Sequence, residues 1–327
     1  MSRSPRGAWR WLVGGALGLV AAAPRARAEE IFPVVDLHVD VPYQVRWKQR
    51  GLPLVLGELT QRTMRRGHVA GVVLPAYVPD KRPPDPRDLD ATLEAARRVR
   101  ETAPFVGDAG VRTWLAIEGA RSIEGDASLI DAPLSRGVRL VGLVHATDNA
   151  LGGSATGKTK GGLTARGEEM ARRVLSRGAL LDVSHLSDAA FDDALRLSKD
   201  AGRPLVASHS NARALVRHAR NLTDSQLRAI GETGGVAGLN LHVPYLGGDH
   251  EPTMDEIVRM LEHMVDVAGE EHVAIGSDFD GGIKAPRTLR DPSRFPALAR
   301  ALLASGWPAA RVHKVFSKNA LRVLDAR

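Results

Sequence analysis

Eight short apolar, β-branched runs recur along the chain, near residues 33–38, 70–77, 112–118, 138–144, 179–184, 204–208, 235–240 and 272–277, and a helical pattern follows each. Strands that alternate with helices pair in parallel, and eight such units predict an α/β fold, a closed (β/α)8 TIM barrel. The helix-like segments include Asp88–Glu101, Arg166–Arg177, Asp188–Asp200 and Asp255–Ala268. Ser187, Thr223 with Gln226 and Thr253 with Glu256 stand where helix caps belong, the last two in capping-box spacing. Pro308–Leu324 reads as an added C-terminal helix.

The polar residues that end these runs narrow the chemistry. In VVDLHVD, His38 and Asp40 are two residues apart, a spacing that aims both side chains at one face of a strand. WLAIEG, LLDVSH, LVASH and VAIGSDFDG bring Glu118, His185, His209 and Asp278 to the same end of their strands, and His145 closes the fourth run. Taken singly, a histidine at a strand end is more often a hydrogen-bonded structural residue, and an aspartate there a cap or turn former. His68, His218, His250, His263, His272 and His313 keep that reading. The others fall at the C-terminal ends of strands one, three, four, five, six and eight, where a barrel of this kind builds its active site. Convergent imidazoles and carboxylates at that mouth predict a metal centre. The chain has no cysteine, so thiolate ligands and disulfides are both excluded.

Residues 1–28 read as an export signal. Arg3, Arg6 and Arg10 precede the small, apolar stretch Trp11–Ala23, and Ala26-Arg27-Ala28 has the form of a cleavage site. The stretch is short for a membrane span. The expected mature protein is therefore a single catalytic barrel of residues 29–327, periplasmic or secreted, with no stable membrane insertion after cleavage. Removing Arg3, Arg6, Arg10, Arg25 and Arg27, with no acid among them, lowers the formal net charge from +7 to +2. A nucleic-acid partner is not indicated by so small a charge. Gly152 to Thr159 has the residue spacing of a phosphate-binding loop, but Lys160-Gly161-Gly162 follows where that motif needs a helix to begin. A flexible glycine-rich loop over the mouth is expected there, and the Pro79–Pro86 run reads as an ordered loop or lid.

Together these residues resemble the membrane (renal) dipeptidases, a zinc-dependent family of the amidohydrolase superfamily with a (β/α)8 barrel. The matching pieces are DLHVD (36–40), AIEGA (116–120), LVH with Asn149 four residues beyond His145, LLDVSH (180–185), ASHSNAR (207–213), RN (220–221) and GSDFDG (276–281). The resemblance implies hydrolysis of the peptide bond of dipeptides by attack of a metal-bound hydroxide. It implies two Zn2+ per chain, one held by His38 and Asp40, the other by His185 and His209, with Glu118 bridging them. It places His145 beside the scissile carbonyl, Arg220 on the substrate carboxylate, and Asp278 near the metals as the acid and base. LNLHVPYL (239–246) lies where the family uses a tyrosine for that carboxylate, and either His242 or Tyr245 fills the position here. Family analogy adds a homodimer, while the cysteines and hydrophobic C-terminal tail of the anchored mammalian members have no counterpart.

The implied roles are chemically coherent. Two Zn2+ carry four positive charges, and Asp40, Glu118 and a hydroxide offset three, which leaves a positive site for a developing oxyanion. Asp278 can move a proton from the nucleophile to the leaving amine, and Arg220 offers a planar fork to the terminal carboxylate of a short peptide. Two other readings are an amidohydrolase acting on a lactone, cyclic amide or phosphoester, and a metal-binding barrel without turnover. Arg220 with His145 argues against the first, because a neutral substrate needs no carboxylate clamp. Asp278 beside the full ligand set argues against the second.

Overall fold

Parallel pairing runs around the molecule in chain order. The strands are β1 (Val34–Asp36), β2 (Val69–Tyr77), β3 (Arg112–Glu118), β4 (Val138–Gly142), β5 (Leu180–Asp182), β6 (Val206–Ala207), β7 (Val236–Leu239) and β8 (Val273–Ile275). They close into a barrel, β8 returning to β1 through the pair Asp36 and Ile275. This is the α/β architecture that the eight alternating units predict. The computed structural model describes residues 30–102, 104–105 and 110–326, together with Met1, and the barrel lies within the unit Ile31–Arg327. The segment read as an export signal lies outside the described residues.

Each strand sends one apolar side chain into a common inner layer: Val35, Val73, Ala116, Leu140, Leu180, Val206, Val236 and Ala274. Ala320, Val323 and Leu324 of the C-terminal helix pack against that layer and plug the lower end of the barrel. Because side chains alternate along a strand, the residue two positions beyond an inner-layer residue faces the same way. That rule carries Ala116 to Glu118, Leu180 to Asp182 and Val206 to Ser208, so polar groups stand directly above an apolar floor.

Six of the strands stop earlier than their apolar runs do, β2 and β3 excepted, and two aspartates explain where β1, β5, β6 and β8 end. Asp36 Oδ1 accepts the N–H groups of His38 (3.1 Å) and Ser277 (2.9 Å). Asp182 Oδ1 accepts those of Ser184 (3.1 Å) and Ser208 (3.0 Å). Carboxylates thus take over donors that a ladder would otherwise use, and the chain is free to turn inward. His38, Asp40, His145, His185, His209 and Asp278 consequently lie just past their strands, and Glu118 is the last residue of β3.

The outer helices include Pro86–Arg100, Ala165–Ser176, Asp188–Asp200 and Met254–Ala268, close to the expected ranges. Ser187 accepts the N–H of Ala190, and Thr223 with Gln226 and Thr253 with Glu256 form complete capping boxes. The C-terminal segment differs from the single expected helix. It runs as Ala309–His313, a wide π turn Lys314–Lys318, and Asn319–Asp325. The wide turn brings Asn319 to the foot of β8, where its amide donates to the carbonyls of Glu270 and Val273, both at 2.8 Å.

No helix begins directly after Thr159; the next starts at Ala165, so the phosphate-loop geometry is absent. Instead Asp148 holds the loop, accepting the N–H groups of Ser154 and Thr159 and the Thr159 hydroxyl, each at 2.8 Å. The expected flexible loop is in fact a braced one, with Gly152 to Ala155 buried. Among the described residues no helix is long and apolar enough to cross a membrane.

Candidate active site

Above the apolar floor, Glu118 is the hub. Its Oε1 lies 3.0 Å from His185 Nε2, 3.4 Å from His38 Nε2, 3.6 Å from His209 Nε2 and 3.8 Å from His145 Nε2. His38 Nε2 is also 3.5 Å from Asp40 Oδ2. Two overlapping clusters result, His38 with Asp40 and Glu118, and His185 with His209 and Glu118, each compact enough to hold one ion. They share Glu118, the arrangement that a bridging carboxylate requires.

The donor set fits a metal on physical grounds. His38 Nε2 and Asp40 Oδ1 are buried and make no hydrogen bond of good geometry among the described residues, a costly state for polar atoms unless something else binds them. The Nε2 atoms of His185 and His209 face each other at 3.0 Å. Burial, with the Arg220 charge nearby, holds both of those imidazoles well below the ordinary histidine range, and so neutral. For His38 burial also opposes the cation, but Glu118 and Asp40 outweigh it and hold its pKa well above the ordinary value. Two carboxylates thus demand a positive charge at the point where an ion would sit. Neutral imidazole and carboxylate are the donors that zinc accepts.

The remaining predicted residues line the same cavity. It measures about 270 Å³ and is bounded by Asp40, Glu118, His145, His185, His209, Arg220 and Asp278, with Tyr43, Tyr77, His242, Tyr245 and Gly281 completing the wall. Asp278 takes a left-handed backbone, φ 67°, in the turn after β8. Burial first, then the charges of Asp40 and Glu118, keeps its carboxyl well above the usual range, though His38 and Arg220 pull it down. Gly281 has to be glycine for room: a Cβ there would stand 2.5 Å from Asp278 Oδ1 and 2.6 Å from Asp40 Oδ2. Arg220 is only 3% exposed, and its Nε and Nη1 have no partner among the described residues. Its guanidinium carbon lies 5.7 Å from the Tyr245 ring centre. His242 packs edge-on against that ring, so both candidates for the tyrosine position border the cavity.

Several supporting residues escape the sequence reading. Asp80, from the proline-bearing loop after β2, stands 3.1 Å from His145 Nδ1 and accepts the Ala146 N–H at 3.1 Å. Burial disfavours the His145 cation, but Asp80 and Glu118 outweigh it and raise the imidazole above its ordinary pKa. Asn240 donates to Asp278 Oδ2 at 3.1 Å, and Ser208 lies beneath His38 and His209. Asp80 and Asn240 sit on loops past β2 and β7, so β2, which carries no predicted site residue, also contributes to the site. Their one signal is position: each follows an apolar run at the same end as the ligands.

A barrel with paired imidazole and carboxylate clusters at its C-terminal mouth defines a metal-dependent hydrolase scaffold. The model of the membrane dipeptidase family (peptidase family M19) matches residues 25–327. The chain belongs to that family. A protein of Klebsiella pneumoniae from the pqqA 5' region is 39% identical over 218 residues, covering 64% of this chain and 79% of that protein. An uncharacterized dipeptidase of Schizosaccharomyces pombe is 30% identical over 307 residues, covering 81% of this chain and 73% of its own length. Among solved structures, a metallopeptidase from Rhodobacter sphaeroides bound to a phosphinate mimic of L-Ala-D-Ala superposes with a TM-score of 0.77. It is 29% identical, and the match covers 90% of this chain and 99% of that one.

Proposed function

We propose that the protein is a binuclear zinc dipeptidase, with His38 and Asp40 on one ion, His185 and His209 on the other, and Glu118 between them. The observation that carries this reading is the presence, in one cavity, of a cation-demanding ligand cluster and a buried, unpaired Arg220. One end of the site takes a scissile carbonyl and the other takes a carboxylate only a short distance along the chain, which selects dipeptides over internal bonds. The Rhodobacter protein, bound to a dipeptide mimic, supports the same substrate class here.

Bound zinc would supply an activated water and polarise the carbonyl. The protein's own residues do the rest. Arg220 fixes the terminal carboxylate and so the position of the peptide bond. His145, held by Asp80, points Nε2 into the cavity and donates a hydrogen bond to the developing oxyanion. Asp278, oriented by Asn240, carries the proton to the leaving amine. Tyr245 and His242 flank the clamp.

The expected chain begins with a cleaved export segment, residues 1–28, and works as a periplasmic or secreted enzyme, with a homodimer as the assembly that family analogy supports. A hydrolysis assay over a dipeptide library, before and after chelation and with zinc added back, tests the activity. Zinc-restored cleavage of dipeptides is expected; preferential cleavage of neutral lactones or cyclic amides would replace this reading with the other amidohydrolase one.

A further inference from the structure

Ser208 occupies a position that touches both ligand clusters from behind. Its hydroxyl oxygen is 3.2 Å from His38 Nδ1 and 2.7 Å from His209 Nδ1. These histidines belong to different clusters and their rings lie 3.9 Å apart, centre to centre. On its third side the hydroxyl meets Asp182 Oδ2 at 2.5 Å. Asp182 accepts from every neighbour it has here: its Oδ1 takes the Ser184 N–H, the Ser184 hydroxyl (2.8 Å) and the Ser208 N–H. Ser184 lies 3.2 Å from the Ser208 hydroxyl, and its own proton is already committed to Asp182.

A serine hydroxyl has one proton and two lone pairs. With the proton given to Asp182, both lone pairs are left to accept, and the donors available are the Nδ1–H groups of His38 and His209. An imidazole that donates from Nδ1 has its Nε2 lone pair free for a ligand. We infer that Ser208, fixed by Asp182, is a single positioning residue that sets the tautomer and ring orientation of one histidine in each metal cluster, and so makes the affinity for both ions depend on one hydroxyl. This rests on the binuclear reading above. Outer partners of ligand histidines change metal affinity by roughly 10- to 100-fold when removed, and here one hydroxyl serves two ions.

The test is zinc titration of the full chain against a competing chelator, comparing wild type with Ser208→Ala and Ser210→Ala. Ser210 is buried two residues on, and its hydroxyl has no partner among the described residues, so it controls for loss of a buried hydroxyl alone. In Ser208→Ala both zinc affinities are expected to fall roughly 10- to 100-fold together, while Ser210→Ala retains wild-type values and both metal-free variants melt near the wild-type temperature. Weakening of one ion alone, or of neither, would overturn the inference. Should Ser208→Ala not fold, imidazole 15N spectra of the metal-free wild type, recorded at a pH where both imidazoles are neutral, decide: protons on Nδ1 of both His38 and His209 support it, and a bare Nδ1 on either refutes it. A wild type that binds no divalent ion would instead remove the binuclear reading itself.

Discussion

Among the described residues lining the cavity, Arg220 is the one permanently charged cation, and its burial gives its removal a specific signature. A hydrogen-bonded charge pair formed out of water loses about 2–5 kcal/mol when one partner is truncated. Arg220→Ala should therefore lower kcat/KM for dipeptides by at least roughly 30-fold, mostly through KM, and affect C-terminally amidated analogues much less. Equal losses on both substrates would take the clamp out of the mechanism. Whether a residue could be recognised in advance depends on the kind of work it does. His38, Asp40, Glu118, His145, His185, His209 and Asp278 stand out because each interrupts an apolar run at the same strand end. Asp182, Ser208, Asp80 and Asn240 act only through neighbours distant in sequence, and an isolated Asp or Ser after a strand looks like any cap.

At the level of elements, the loop after β8 is tied to the segment that precedes the helix Gln61–Arg66 by one carboxylate. Asp280 accepts from Arg50 Nη1 at 2.6 Å, the Glu58 N–H at 2.9 Å and the Leu59 N–H at 3.2 Å, while its own N–H goes to Glu58 Oε2 at 2.6 Å. Glu58 is pushed from 4.5 up to about 7, by burial first, with the Asp280 N–H opposing and the Asp280 and Asp291 charges adding. The folded protein then keeps a proton that the unfolded chain releases. Stability contributed by that proton is present below about pH 4.5 and falls as pH rises towards about 7. Glu58→Gln keeps an acceptor for the Asp280 N–H and removes the titration, so melting temperatures at pH 5 and pH 8 should differ less in the variant than in wild type. An unchanged difference would show that Glu58 is not the group responsible. The same scale shows what periodicity misses. Strand and helix existence, and all three caps, were legible because they depend on neighbouring residues. The early strand ends, the braced Asp148 loop and the π turn at Lys314–Lys318 depend on partners far along the chain.

For the whole molecule, the barrel was legible in the sequence, and so was the convergence of imidazoles and carboxylates on its mouth, because each explains the other. Eight parallel strands converge on one mouth, and the polar residues at their ends have nowhere else to meet. The fold supplies an apolar floor, a ring of carboxylates and serines above it, and then two ligand clusters joined through Glu118. Replacing that hub probes the proposed binuclear centre most directly. Zinc content per chain and dipeptide hydrolysis should be measured on wild type and Glu118→Gln, with circular dichroism verifying the fold. Two zinc ions in the wild type, fewer in the variant and loss of nearly all turnover are predicted from loss of a bridging carboxylate. A folded Glu118→Gln protein that keeps two zinc ions and full activity would contradict it.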